Sequence, residues 1–214
     1  MRLLIGNKNY SSWSLRPWLA LTEFGIPFEE ERVPLFVPGY KERILAASPA
    51  GKVPVLIDGS VAVWDSLAIG EYLAEKFPER GVWPRDAAAR AHARCVSAEM
   101  HSGFQSLRGQ MPMNIRKLVP GRPRTPELEA DIARVVALWI QCLRASGGAF
   151  LFGDFSYADA MYAPVVTRFT TYGVTLDGAA LDYSNRVWSL SGMQAWRAAS
   201  IAESEVIEAY EFPQ

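Results

Sequence analysis

Cysteine and histidine are scarce in this sequence, with two of each. Cys95 and Cys142 stand far apart and form no C-x-x-C, which argues against a disulfide framework and for residence in a reducing compartment. His92 and His101 share no zinc-like spacing with either cysteine, so no metal site is expected. A strong charge of one sign is also missing. Lys and Arg number 22 against 23 Asp and Glu, a formal net charge of −1. That balance excludes the basic footprint of a nucleic-acid-binding protein. No apolar run approaches membrane-span length, and the one in "MRLLIGNKNY" is too short for a secretory signal. A soluble, cytoplasmic protein is expected.

What is present is an ordinary globular composition. Half of the 214 residues are hydrophobic, enough for one large domain or two small ones packed together. "RLLIGN" reads as a short buried strand. "SLRPWLALTEF" follows with Leu15, Trp18, Leu19 and Thr22 near helical spacing, stopped by Gly25 and Pro27. Pro17 is placed in the first turn of that helix, where its missing N–H costs little. "FEEERVPL" reads as a second strand and "YKERILAAS" as a short helix. "VPVLI", "DGS" and "VAVW" then make the clearest hairpin signal of the chain. "DSLAIGEYLAEKF" carries Ile69, Leu73 and Phe77 on one helical face. The order is β-α-β-α-β-β-α, similar to the thioredoxin fold.

"PERGVWPRD" is rich in Pro, Gly and charge and marks a domain boundary. The division expected is residues 1–78, a linker over 79–86, and a helical domain over 87–214. "AAARAHARCVSAEMHSGFQSLRGQM" reads as one long helix. Thr125 and Pro126 signal the N-cap and first position of the next, "ELEADIARVVALWIQCLRAS", which ends at Gly147 and Gly148. Further helices are read from Ser156 and around "MQAWRAASIAES". Ser156 and Asp159 stand at capping-box spacing, a structural feature rather than a catalytic one.

The stretch "YSSWSLRPW" poses the functional question. Its serines either cap a helix or place a hydroxyl for chemistry at a helix N-terminus, where unsatisfied N–H groups and the dipole favour negative charge. Four stretches, "YSSWSLR", "GKVPVL", "WDSLAIGEYL" and "FSYADAMYAP", together resemble the glutathione transferase superfamily over nearly the whole chain. The resemblance implies a thioredoxin-like α/β domain that binds glutathione and an all-helical domain that helps receive an electrophile.

The doubled serine is most similar to the zeta-class pattern, in which "SSC" precedes the helix and the first serine is catalytic. That position is Ser11; Ser12 is the second candidate and Tyr10 the third. Trp13 stands where the pattern has cysteine. A free thiol with pKa about 8.5 is only about 3% ionised at pH 7. Lowering it by about two units needs roughly 2.7 kcal/mol of preference for the thiolate. A charge-assisted hydrogen bond of about 1.5–3 kcal/mol, with the helix terminus, supplies that order of energy.

By the same resemblance Val53, before Pro54 in a cis X-Pro unit, would pair its backbone with the cysteinyl part of glutathione. Lys52 would reach a carboxylate, Ser66 the γ-glutamyl carboxylate, and Asp65 the γ-glutamyl ammonium. Gln105 matches a position that contacts glutathione across a dimer interface, and a homodimer is implied. Arg108 and Arg168 are candidates for an acidic electrophile, with Trp13, Phe36 and Met111 as an apolar wall. Cys95 and His101 read as packing or surface residues.

Three activities follow in order. A transferase joins the thiolate to a small electrophile, as in detoxification. An isomerase of the maleylacetoacetate type adds and then releases the thiolate. A transferase-like scaffold binds a protein partner without catalysis. A glutaredoxin-like reductase is disfavoured because position 11 lacks cysteine.

Overall fold

In the computed structural model, which describes residues 1–211, the first part of the chain runs β1 (Arg2–Ile5), α1 (Ser12–Glu23), β2 (Glu29–Arg32), α2 (Tyr40–Ala47), β3 (Val55–Asp58), β4 (Val61–Trp64) and α3 (Ser66–Lys76). The four strands form one mixed sheet in the order β2-β1-β3-β4. β1 is parallel to β2 and antiparallel to β3, and β3 pairs antiparallel with β4. Alternation along β1 divides the core. Leu3 and Ile5 join the large cluster with α1 and α3, while Leu4 faces the smaller cluster of Val33, Ile44 and Val55 beside α2.

The rest is helical: α4 (Ala87–Ser102), α5 (Gln105–Gln110), α6 (Pro126–Ser146), α7 (Tyr157–Thr171), α8 (Gly178–Ser189) and α9 (Ser191–Ala202). The fold is therefore a small α/β sheet domain of thioredoxin-like order followed by a helical one. Thr125 caps α6 by accepting from Leu128 N–H, with Pro126 just inside, and Gly147 ends it at φ 63°. The Ser156–Asp159 capping box is formed at the start of α7. Among the described residues no helix is long and apolar enough to cross a membrane.

Three local features depart from the sequence-based expectation. The long helix after residue 87 is broken in two. Gly103 ends α4, and a Cβ there would lie 2.8 Å from the Glu99 carbonyl. Phe104 then turns the chain at φ 59° before α5. Pro17 is the sixth residue of α1, not in its first turn. The Trp13 carbonyl therefore lacks its i+4 donor. Finally α8, unmarked in the sequence, lies between the two helices that were read there.

One large core runs through both halves of the molecule. Gly70 of α3 lies against the Tyr157 ring, where any Cβ would come within 2.5 Å of that ring. The Tyr157 hydroxyl donates to the Ser66 carbonyl. This contact fixes the N-terminus of α3 against the helical domain.

Candidate active site

A cavity of about 550 Å³ opens where the N-terminal part of α1, the loop before β3 and the start of α3 meet the end of α4. Its lining includes Trp13, Lys52, Val53, Pro54, Asp65, Ser66 and His101. The Val53–Pro54 peptide bond is cis. No other described residue hydrogen-bonds the Val53 backbone, which leaves its N–H and C=O available to an extended ligand.

At the start of α3 the hydrogen-bond account is nearly closed. Asp65, at φ 78°, caps the helix by accepting from Leu67 N–H at 2.8 Å and Ala68 N–H at 3.3 Å. Ile69 N–H bonds to the Asp65 carbonyl. The remaining donor of that turn, Ser66 N–H, belongs to a residue that lines the cavity. The Ser66 hydroxyl accepts from Arg16 Nη1 at 3.3 Å. Arg16 is buried, and burial lowers its guanidinium to about 9, with Arg108 and Arg168 pushing the same way. It stays protonated at neutral pH. Arg16 thus brings a buried cation to the Ser66 hydroxyl from behind the cavity wall.

Ser11 is the N-cap of α1 and accepts from Ser14 N–H at 3.4 Å. Its Oγ is 2.7 Å from Ser14 Oγ, which itself accepts from Gly6 N–H at 3.1 Å. Gly6 N–H donates to Ser14 Oγ, and either hydroxyl can be the donor between the two serines. In the arrangement where Ser14 O–H donates to Ser11 Oγ, the Ser11 proton is free to be donated elsewhere. Ser12 lies beside it, and no described residue hydrogen-bonds its hydroxyl. Neither serine lines the cavity as Trp13, their neighbour in the chain, does.

Tyr10 is turned to other partners. Its hydroxyl donates to Glu211 at 2.6 Å and accepts from Arg116 at 2.7 Å. Burial, then the Glu211 bond, raises its pKa above the usual tyrosine value.

Trp13 packs against two cations, with the Arg16 and Arg108 guanidinium carbons 4.4 and 4.8 Å from its ring centroid. His101 meets it edge-on at 5.3 Å. His101 Nε2 also lies 3.2 Å from Asp65 Oδ2. Burial lowers the imidazole pKa, against the pull of Asp65. Its Nδ1 is buried without a hydrogen-bond partner among the described residues. His101 is therefore a cavity residue, not the packing or surface residue that its sequence context implied. The break after α4 brings it there, and no local sequence signal marks that break as functional.

Several expected site residues lie elsewhere. Arg168 is buried and donates to the Met111 and Pro164 carbonyls at 2.7 and 3.1 Å, so its guanidinium serves the fold. Met111 is buried in the large core. Phe36 is 61% exposed in the loop before α2 and meets Tyr40 rather than the cavity. Arg108 closes the end of α4, donating to the Gly103, His101 and Met100 carbonyls. The Gln105 amide donates to the Ser102 carbonyl. Cys95 is exposed and Cys142 buried, both as free thiols.

Comparison with known proteins gives a match in each part of the chain. Residues 10–76 match the family described as "Glutathione S-transferase, N-terminal domain", and residues 122–199 match its C-terminal counterpart. A zeta-class glutathione S-transferase of Euphorbia esula is 31% identical over 74% of this chain and 74% of its own. Maleylacetoacetate isomerase of Rattus norvegicus is 30% identical, covering 77% of this chain and 76% of its own. A crystal structure of a Burkholderia glutathione transferase homolog with bound glutathione superposes with a TM-score of 0.71 at 24% identity, covering 94% of this chain and 98% of that one.

Proposed function

Because this chain belongs to the glutathione S-transferase family, with a zeta-class pattern in its first helix, its activity is that of a glutathione transferase, and we propose that Ser11 is the residue that holds the thiolate. The observation that carries this is the hydrogen-bond sequence Gly6–Ser14–Ser11 at the N-terminus of α1, in which Ser14 can donate to Ser11 and leave the Ser11 proton for a ligand. Glutathione supplies the nucleophilic thiol. Ser11 donates to it, and the α1 terminus adds its dipole. The Val53 backbone pairs with the cysteinyl part, Lys52 with a carboxylate, and Ser66 N–H with the γ-glutamyl carboxylate. Asp65 takes the γ-glutamyl ammonium on the carboxylate it already shares with His101. Trp13 and His101 stand at the wall that a small electrophile would meet. Residues 1–78 form the glutathione-binding unit, residues 79–86 the linker, and residues 87–211 the helical unit, whose expected end at 214 lies outside the described residues. By family likeness we place the protein in the cytoplasm as a homodimer.

Ultraviolet thiolate absorbance of added glutathione, followed against pH with and without the protein, tests the role. Bound glutathione is expected to ionise about two pH units below the free thiol, and Ser11→Ala to abolish most of that difference. A folded Ser11→Ala variant with wild-type thiolate signal and turnover would remove Ser11 from the mechanism.

A second activity is favoured by the likeness to maleylacetoacetate isomerase. There the thiolate adds to a conjugated double bond, rotation follows, and the thiolate leaves again. Loss of substrate without loss of total thiol would identify it; stoichiometric thiol consumption would exclude it for that substrate.

A further inference from the structure

The turn that carries the Ser11 hydroxyl does not satisfy itself. Within it, Tyr10 N–H and Ser11 N–H both bond to the Asn7 carbonyl, at 3.2 and 2.8 Å. Lys8 N–H and Asn9 N–H point away from that acceptor and need another. Both find it on Glu203, just past α9. Lys8 N–H bonds to Oε1 at 2.7 Å and Asn9 N–H to Oε2 at 3.1 Å. Glu203 is 9% exposed. Its carboxylate also meets Arg32 Nη1 at 3.5 Å, and its own carbonyl accepts from Arg116 at 2.5 Å.

Neighbouring groups close the rest of the turn from the helical side. Trp196 of α9 donates from Nε1 to the Lys8 carbonyl at 2.9 Å. The Asn9 side chain bonds to Asn114 Oδ1 and accepts from Arg116 N–H, each at 2.9 Å. Two adjacent backbone N–H groups on one carboxylate make a charge-assisted clamp, stronger than neutral hydrogen bonds and fixed in direction. No contact of Glu203 reaches Lys52, Val53, Asp65 or Ser66.

We propose that Glu203 is a positioning residue for catalysis: it holds the turn over residues 8 and 9 and so sets where the Ser11 hydroxyl stands. The proposal rests on Ser11 acting on the thiolate, and it places the control of that hydroxyl on the segment after α9 rather than on the sheet domain. Glutathione affinity, set by the loop before β3 and the start of α3, is then separable from turnover.

Glu203→Gln tests this with little change of shape, because the amide accepts with one atom only and leaves one of the two N–H groups unpaired. Glu205→Gln is the comparison. It removes a carboxylate of the same segment, paired with Arg32 at 2.7 Å, that does not touch the turn. In Glu203→Gln, kcat is expected to fall about tenfold or more, with the Kd for glutathione within about threefold of wild type. The thiolate titration should move up toward that of free glutathione, while Glu205→Gln changes none of these. A folded Glu203→Gln protein with unchanged kcat and thiolate titration overturns the proposal.

Amide hydrogen exchange reads the turn without glutathione. Lys8 and Asn9 should be protected in the wild type to the level of α1, and should exchange about tenfold faster or more in Glu203→Gln. Equal exchange in the two proteins overturns the proposal. If Glu203→Gln does not fold, unprotected Lys8 and Asn9 amides in the wild type do so. Should wild-type protein bind glutathione only as the neutral thiol, the role of Ser11 fails, and amide exchange alone decides whether Glu203 holds the turn.

Discussion

His101 Nε2 stands 3.2 Å from Asp65 Oδ2, joining the last turn of α4 to the cap of α3. Burial lowers the imidazole pKa from its usual 6.5. The unfolded chain therefore gains a proton at this site before the folded chain does. The stability contributed by the neutral ring is complete above about pH 6.5 and is lost as pH falls through the folded pKa. Urea midpoints measured from about pH 5 to 7 should rise more steeply in wild type than in His101→Gln. Parallel curves would show that this imidazole does not titrate differently on folding. A pair this open contributes about 1 kcal/mol or less, so the variant keeps its fold.

Trp13 fills the cavity wall and lies against two guanidinium groups. Trp13→Ala should lower stability by about 2–4 kcal/mol, through lost ring contacts and two cation–π interactions. The same change widens the cavity. The ratio of kcat/KM for a bulky electrophile over a small one should therefore rise. A ratio that did not move would take Trp13 out of the electrophile site.

Asp159 is buried and accepts four hydrogen bonds, from Leu151 N–H, Ser156 N–H, Ser156 Oγ and Tyr183 Oη. Replacement by alanine strands those donors and should cost at least about 3 kcal/mol, read by denaturant unfolding. Burial nevertheless pushes its carboxyl up to about 6. Its pH effect has the opposite sign to that of His101. The contribution is complete below the unfolded value of 3.8 and is lost as pH rises through about 6. Asp159→Asn should flatten that part of the stability curve.

The elements that local chemistry specifies were legible. Ser11, Asp65, Thr125 and the Ser156–Asp159 box announce helix starts by side-chain type, and "DGS" announces the hairpin. What the sequence hid depends on contacts made at long range. Arg16 and Arg168 look like ordinary helix-surface cations, yet α1 and α7 are held so closely that both are buried. Phe36 follows β2 in an apolar stretch, but its positive φ of 63° belongs to a turn that leaves the ring outside. His101 reaches the cavity because the chain breaks at Gly103, and a single glycine inside a helical stretch does not say whether the helix ends there. Glu203 is one of several glutamates in a polar stretch, and nothing near it in sequence names Lys8 and Asn9 as partners.

The bond from Trp196 to the Lys8 carbonyl spans 188 residues of chain. A ribosome adds about 5–20 residues per second, so Lys8 waits about 10–40 s for that partner to be made. During the wait the sheet can pair, since its four strands all lie within the first 64 residues. Trp18, which in the finished protein meets the Trp196 ring at 5.1 Å, has no such cover. The nascent amino-terminal part thus passes through a period as a sheet with an open aromatic flank. A slowed ribosome would lengthen that period, and with it the exposure of newborn chains to aggregation.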